Sequence, residues 1–342
     1  MPENVFDKPY KSYDQLIDKL KNKGIAVNDP ELTKYLLSYY GYDQLINSFR
    51  FPENNVEDNI QNIIAEYIID SEFKSVILDG ILLIENHFKN LIGHEVAKAF
   101  QVNDHSEDDN NNPDNSIASY LNPNHYVTHN KDSVTSFIRD KVLTTNENPT
   151  KQYRKNMNHV PPWILMQNMT FGTAIRYYKI LPNTLKSTIV NQLIYSPTPD
   201  TDINIRKALF VKCLNMLSIF RNSSAHTGRP LFSCVNGDAL ERNCYPNITW
   251  LETFWGLEAI SGSGLRSNIK KDIFLTLLFI LELLDLPALR EQFIDNVTNI
   301  NSKYLSGNKS TQKLYIEYLK IAKIPKDYVE RLQVAFKFMN TI

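Results

Sequence analysis

The stretch IFLTLLFILELLDL, Ile273 to Leu286, is the most apolar in the chain, and its reading decides the fold. A bilayer span needs about 18–20 apolar residues. This run is shorter and carries Glu282 inside it, so it predicts the buried central helix of a bundle. Upstream, Ile60, Ile63, Ile64, Tyr67 and Ile68, then Ile84, Phe88, Leu91, Ile92 and Val96, recur three and four apart between Val56 and Phe100. That period is helical and predicts one long helix, or two in tandem.

Outward from these two elements the chain remains helical. Leu16, Ile17 and Leu20 precede a Gly24 to Pro30 turn, with Gly24 placed as a C-cap and Asn28 or Asp29 with Pro30 opening a second helix. Pro161, Pro162 and Trp163 introduce a pattern ending near Leu181, and Ile205, Leu209, Val211, Leu214, Leu217 and Ile219 mark another. Three shorter patterns follow Leu286. Between Gln101 and Ser116 the sequence loses its apolar residues and gathers acids and asparagines, which predicts a mobile surface loop. Residues 231–264 hold Gly237, Pro246, Gly256, Gly262 and Gly264 and read as irregular structure or a short hairpin. The expected organisation is an N-terminal helical region (1–55), a helical core (56–290) with a polar insertion at about 101–160, and C-terminal helices (291–342). No repeat of solenoid length is present.

The 342 residues are 42% hydrophobic and 22% charged, an ordinary globular composition. Lys and Arg number 37 against 38 Asp and Glu, so no overall basic field attracts phosphates from a distance. Any polyanion site is local. Residues 131–179 contain eight Lys or Arg against three Asp or Glu, and residues 201–229 contain five against one. Lys151, Arg154, Lys155, Arg176 and Lys179 are interleaved with Tyr153, Phe171, Tyr177 and Tyr178, a mixture that contacts phosphates and stacks unpaired bases. A solvated face beside buried rings is the plainer alternative. The polar, acidic start MPENVFDKPYKSYDQL is no secretory signal, so a cytoplasmic location without a membrane partner is expected.

Three scattered cysteines, Cys213, Cys234 and Cys244, form neither a disulfide framework nor a zinc half-site. His125 and His129 have the spacing of a metal pair but lack the zincin glutamate, and no metal or cofactor is expected. His87 and His94 are about 20° apart on a helical wheel and read as packed or hydrogen-bonded histidines able to face one cleft. The SGSG run at Ser261 to Gly264 lacks the lysine of a phosphate loop.

The chemistry-bearing segment is Phe220-Arg221-Asn222-Ser223-Ser224-Ala225-His226-Thr227-Gly228-Arg229. In uninterrupted helix Arg221 and His226 would stand about 140° apart. Ser223 and Ser224 favour a break, which would let both side chains enter one cleft. An arginine holds phosphate by a bidentate fork, and a histidine moves a proton near neutral pH. RNA supplies its own nucleophile, the 2′-hydroxyl, so a base, an acid and positive charge suffice in principle. The plainer alternative is a pair of cations capping a helix end.

Four stretches give this segment a context. Lys8-Pro9 leads to Leu36-Leu37-Ser38-Tyr39-Tyr40-Gly41-Tyr42, and Leu78-Asp79 and Ile84-Glu85 follow on the long helix. Pro162-Trp163-Ile164 and Thr170-Phe171-Gly172-Thr173 come next, then Arg221-Asn222 to Ala225-His226 with Arg229. Together they resemble the Abi family of bacterial abortive-infection proteins, the AbiD/AbiF-like group, whose core is similar to the HEPN helical ribonuclease domain. Lys89 stands where that family usually has arginine and Gln167 where it commonly has glutamate; neither departure falls on Arg221 or His226. The resemblance implies an all-α, HEPN-like bundle and a metal-independent endoribonuclease of phage defence. It implies Arg221 as phosphate clamp, His226 as proton-transfer residue and Asn222 placing the motif, with Glu85, Lys89 and Arg229 supporting. Glu85 is either an ordinary surface partner of Lys89 or the residue that orients Arg221. The resemblance further implies a homodimer with a composite cleft, RNA contacts at Lys151, Arg154, Lys155, Arg176, Tyr177 and Lys179, and restraint by a small RNA. The rival expectation is a non-catalytic RNA-binding or phage-sensing module of the same shape.

Overall fold

The computed structural model describes residues 8–49, 59–104, 119–194, 202–225, 230, 231, 233, 248–257 and 272–340. Among them the structure is all-α, with a single isolated bridge between Ala26 and Asn59 in place of any sheet. The first three helices, α1 (Tyr13–Asn22), α2 (Pro30–Tyr40) and α3 (Tyr42–Phe49), form the N-terminal lead-in. Ser12 and Gln15 close a capping box on α1, and Asp29 caps α2 with Pro30 at its first position. Gly41, at φ +80°, makes the bend into α3. Tyr40 packs edge-on against Tyr67, as does Phe49, so Tyr40 of the tyrosine pair is a packing residue.

The axis of the molecule is α4 (Ile60–Phe100), one unbroken helix of 41 residues capped by Asn59. Its apolar residues recur at helical spacing throughout, no proline interrupts it, and at 1.5 Å per residue it is about 61 Å long. Its first turns complete a small core with Ile17, Leu20, Leu37, Leu45 and Phe49, whereas Ile69 onward belongs to the main core.

Around α4 pack the remaining elements. Residues 119–160, expected as a polar insertion, contain α5 (Lys131–Phe137), a π turn (Ile138–Val142) and α6 (Thr150–Asn156). Tyr120, Leu121, Tyr126, Val134, Ile138 and Val142 are buried in the main core, so this segment is a working wall of the bundle. Of the mobile loop expected over residues 101–116, residues 105–116 lie outside the described residues, while Asp104 is buried and accepts the Val160 N–H at 2.9 Å. Next come α7 (Pro162–Leu165), a 3₁₀ turn (Met166–Asn168), α8 (Phe171–Ile180), α9 (Asn183–Leu193) and α10 (Ile203–Ser224). Of residues 231–264, expected to be irregular, the described part includes helix α11 (Ile248–Phe254).

The apolar run that opened the reading is α12 (Ile273–Leu283), with every residue buried. It ends at Leu283 rather than Leu286, because Pro287 starts α13 (Pro287–Leu305) and disfavours helix in the residue before it. Arg290 covers the exposed carbonyls, donating from Nε to Leu281 O and from Nη2 to Glu282 O. Gly80 of α4 lets the helices close, since a Cβ there would meet Ile280 Cγ2 at 2.6 Å. The C-terminal helices α14 (Lys309–Ile321) and α15 (Tyr328–Asn340) complete the bundle. No helix among the described residues is long and apolar enough to cross a membrane.

Candidate functional site

The site is built where the end of α10 crosses α4. Asp202 caps α10, and the apolar residues Leu209, Phe210, Cys213, Leu214, Leu217 and Phe220 bury one side of it. Helical structure runs through both serines to Ser224 rather than breaking at them, because burial of Ser223 holds the last turn against the bundle. Arg221 therefore projects from regular helix. His226 and Arg229 lie outside the described residues, and Asn222 is exposed.

Glu85 of α4 is buried and carries two cations. Its Oε1 is 2.6 Å from Lys89 Nζ and its Oε2 is 3.5 Å from Arg221 Nε. Glu85 is therefore no surface partner: it pairs with Lys89 from a buried position and also faces Arg221 from the neighbouring helix. The Arg221 contact is an ion pair, not a formed hydrogen bond; Arg221 Nε and Glu85 Oε2 are buried without hydrogen-bond partners among the described residues. The guanidinium side chain is 37% exposed, and its terminal nitrogens make no hydrogen bond to the described residues. It is held from beneath by Glu85, with its fork unengaged among the described residues.

Lys89, expected as a supporting residue, shares its carboxylate with Arg221. Together with Leu82, Asn86, Asn90 and Gln167, Glu85 and Lys89 line an open cleft of about 460 Å³. Gln167 reaches it because α7 presses against α4 at Gly93, where a Cβ would come within 2.8 Å of Trp163 Cα. The proline-tryptophan stretch is therefore a close helix approach that delivers Gln167 to the cleft. Thr170 caps α8 by accepting the Thr173 N–H, and Phe171 packs edge-on against Phe88, one turn from Glu85. The threonine-phenylalanine stretch is a positioning element as well.

Beyond the undescribed residues 226–229 the chain is pinned again to α4. Leu231 donates its N–H to Asp70 Oδ1 at 2.9 Å, Tyr318 of α14 donates its hydroxyl to the same oxygen at 2.9 Å, and Lys74 Nζ lies 3.0 Å from Oδ2. Asp70 is fully buried, and no local sequence signal announced it. Burial raises its pKa against the lowering pull of Lys74, the Leu231 N–H and Tyr318.

The expected RNA-contacting residues divide. Lys151, Arg154 and Lys155 are exposed on α6, with Arg154 donating to Leu143 O. Arg176 is exposed, 5.0 Å from the Phe137 ring centroid, and Lys179 is half-buried, donating to Asn215 Oδ1 at 3.2 Å. Tyr177 is a correction. Its ring is fully buried and its hydroxyl meets that of Tyr126, so it offers no face to a base. Tyr178 and Phe171 are core residues too.

The weaker histidine expectations resolve into ordinary contacts. His87 Nδ1 is 3.6 Å from Asp285, His94 is exposed, and His125 stacks on Phe100 at 4.5 Å. Among the described residues no group of three or more His, Cys, Asp and Glu is placed to hold a metal. Cys213 is a buried free thiol, while Cys234, Cys244 and the SGSG run lie outside the described residues.

Fold and site define an α-helical bundle in which a carboxylate of the axial helix lines a polar cleft and pairs with an arginine of α10. Residues 34–231 match the family described as Abi-like protein, and the chain belongs to that family. The match begins in α2 and ends at the residue pinned by Asp70, so α11 to α15 lie beyond it. Neither curated proteins nor solved structures give a match.

Proposed function

We propose that the protein is a metal-independent endoribonuclease of bacterial phage defence, built on a HEPN-type core and acting through Arg221 and His226. The observation that carries this reading is the Arg221 guanidinium, seated on buried Glu85 with its terminal nitrogens unengaged among the described residues beside a polar cleft. In the reaction the RNA 2′-oxygen attacks the adjacent phosphorus and the bond to the 5′-oxygen breaks. His226 takes the hydroxyl proton, and protonated His226 of the partner subunit gives one to the leaving 5′-oxygen. Arg221 stabilises the charge on the phosphorane. The products are a 2′,3′-cyclic phosphate and a 5′-hydroxyl.

One motif histidine, His226, per chain and a reaction wanting both acid and base favour a homodimer with a composite cleft. Leu82 and Leu83, 43% and 45% exposed beside the cleft, are apolar surface that a second copy would cover. Lys151, Arg154, Lys155, Arg176 and Lys179 are the proposed RNA contacts, and a small structured RNA is the proposed restraint. The test is cleavage of RNA by wild-type and His226→Ala protein in the presence of EDTA. The expected result is cyclic-phosphate ends from the wild type alone, with RNA binding retained by the variant. A His226→Ala protein that still protects cells from phage would instead identify a non-catalytic RNA-binding or sensing module.

A further inference from the structure

The chain has 38 acidic residues, yet α8, α9 and α10 contain none. Besides Arg221 they carry Arg176, Lys179, Lys186, Arg206, Lys207 and Lys212. The three helices pack together, with α10 against both α8 and α9. On the wheel of α10, Lys207 and Lys212 stand about 140° apart at the two edges of its outward side, and Asn204, Asn215 and Asn222 fall between them.

Each edge faces another lysine. Lys179 of α8 stands near enough to Lys212, and Lys186 of α9 near enough to Lys207, for each pair to repel. Burial first, and the neighbouring lysine second, push the amines of Lys179 and Lys186 below the ordinary lysine value. The visible acceptors are neutral amides: Lys179 donates to Asn215 and Arg206 to Asn191. Elsewhere the molecule gives its buried lysines carboxylates, Asp70 to Lys74 and Glu85 to Lys89. A merely solvated face would spread its charges out or intersperse acids. The half-buried Lys186–Lys207 pair, with no carboxylate on its own helices, costs stability in the bare protein, and a bound anion relieves that cost.

We propose that the outward face of α10, flanked by Lys179 of α8 and Lys186 of α9, binds the phosphodiester backbone of RNA and leads it to Arg221. Lys207 and Arg221 are fourteen residues apart, about 21 Å along the helix and about 40° around it, so one strand following α10 meets both. The inference rests on the ribonuclease reading and adds where the substrate lies. Because phosphates rather than bases are contacted, the face carries no sequence preference.

The test uses the full chain carrying His226→Ala, so that RNA stays intact, and adds Lys186→Gln/Lys207→Gln or Lys179→Gln/Lys212→Gln. A fluorescent single-stranded RNA is titrated over a range of salt, and melting is followed without RNA. Each double variant is expected to bind about tenfold more weakly near about 100 mM salt, with the log–log salt slope shallower by about 1.4, as for two lost phosphate contacts. Without RNA each is expected to melt no lower than its parent, and the matching Lys→Arg pairs to bind like the parent. Variants that fold and bind with unchanged affinity and slope, while the wild type cleaves RNA, overturn this inference alone. Wild-type protein that neither binds nor cleaves RNA overturns the ribonuclease reading with it.

Discussion

Asp70 and Glu85 sit on the same helix, both are buried, and each pairs with a lysine four residues on, yet they finish as opposite kinds of site. At Asp70 the shell is closed. A backbone N–H from Leu231 and a phenol from Tyr318 bond Oδ1, Oδ2 keeps the ion pair with Lys74, and the side chains of Asp70 and Lys74 are 0% and 6% exposed. At Glu85 the second partner is a guanidinium 37% exposed, and the shell opens onto a cleft. The two carboxylates are fifteen residues, about 22 Å, apart. The chain joins them over the ten residue steps from Arg221 to Leu231, a length that spans at most roughly 33–36 Å when extended. One end of the motif segment is therefore stapled into the core, and the other stays partly exposed beside the cleft. An i,i+4 acid–lysine pair does not reveal which role it has; the element that crosses it decides.

Breaking the closed end gives the largest expected effect on stability. Asp70→Ala strands Lys74, the Leu231 N–H and the Tyr318 hydroxyl in a dry core, and costs about 3–5 kcal/mol in denaturant unfolding. A loss below about 1 kcal/mol would mean that water reaches the site and that the staple is not one.

Breaking the open end costs less stability and more activity. Glu85→Gln removes the charge shared by Lys89 and Arg221, with an expected loss of about 1.5–3 kcal/mol in the same unfolding measurement. A misplaced guanidinium lowers RNA cleavage by about 100-fold, read as kcat in single-turnover assays. Loss of stability with full cleavage would make Glu85 purely structural.

The two ends also differ in their response to pH. Burial raises the Asp70 pKa from its ordinary value, so the folded protein holds that proton more tightly than the unfolded chain. Its contribution to stability is greatest in acid and falls as pH rises through the raised value. Asp70→Asn lacks this titration, so the wild type should lose ground to Asp70→Asn as pH climbs from about 4. A wild type that gains on the variant over that range would reverse the sign.

The smallest effect sharpens the comparison without breaking either end. Gln167→Glu, at an exposed position, should change stability by no more than about 0.5 kcal/mol. It adds a negative charge at the cleft beside Lys89, so RNA affinity is expected to fall, measured by titration at low salt. Unchanged affinity would place the RNA elsewhere.

Much of this was legible in the residues. The apolar period of α4 and the greasy run of α12 declare themselves because one side of each helix must be buried at a fixed spacing. Glu85, Lys89 and Arg221 were legible as a group because two of them share a helix turn and the third ends an apolar helix. Asp70 was not, because its partners are 161 and 248 residues away and nothing local distinguishes it from any acid on a helix. Tyr177 misled because its sequence neighbours Arg176 and Lys179 reach solvent, while its own ring, about 100° around the helix from Arg176, meets Tyr126 in the core. Residues 119–160 were read as polar because their buried side chains come singly, in short turns too brief to show a period.

The central claim is that Glu85 acts on RNA through Arg221. A double-mutant cycle with Glu85→Gln and Arg221→Lys, read as single-turnover RNA cleavage by full-length protein, tests it directly. The account predicts that the double variant is barely slower than the slower single variant, a coupling of at least about 1 kcal/mol. Rate losses that simply multiply would contradict it.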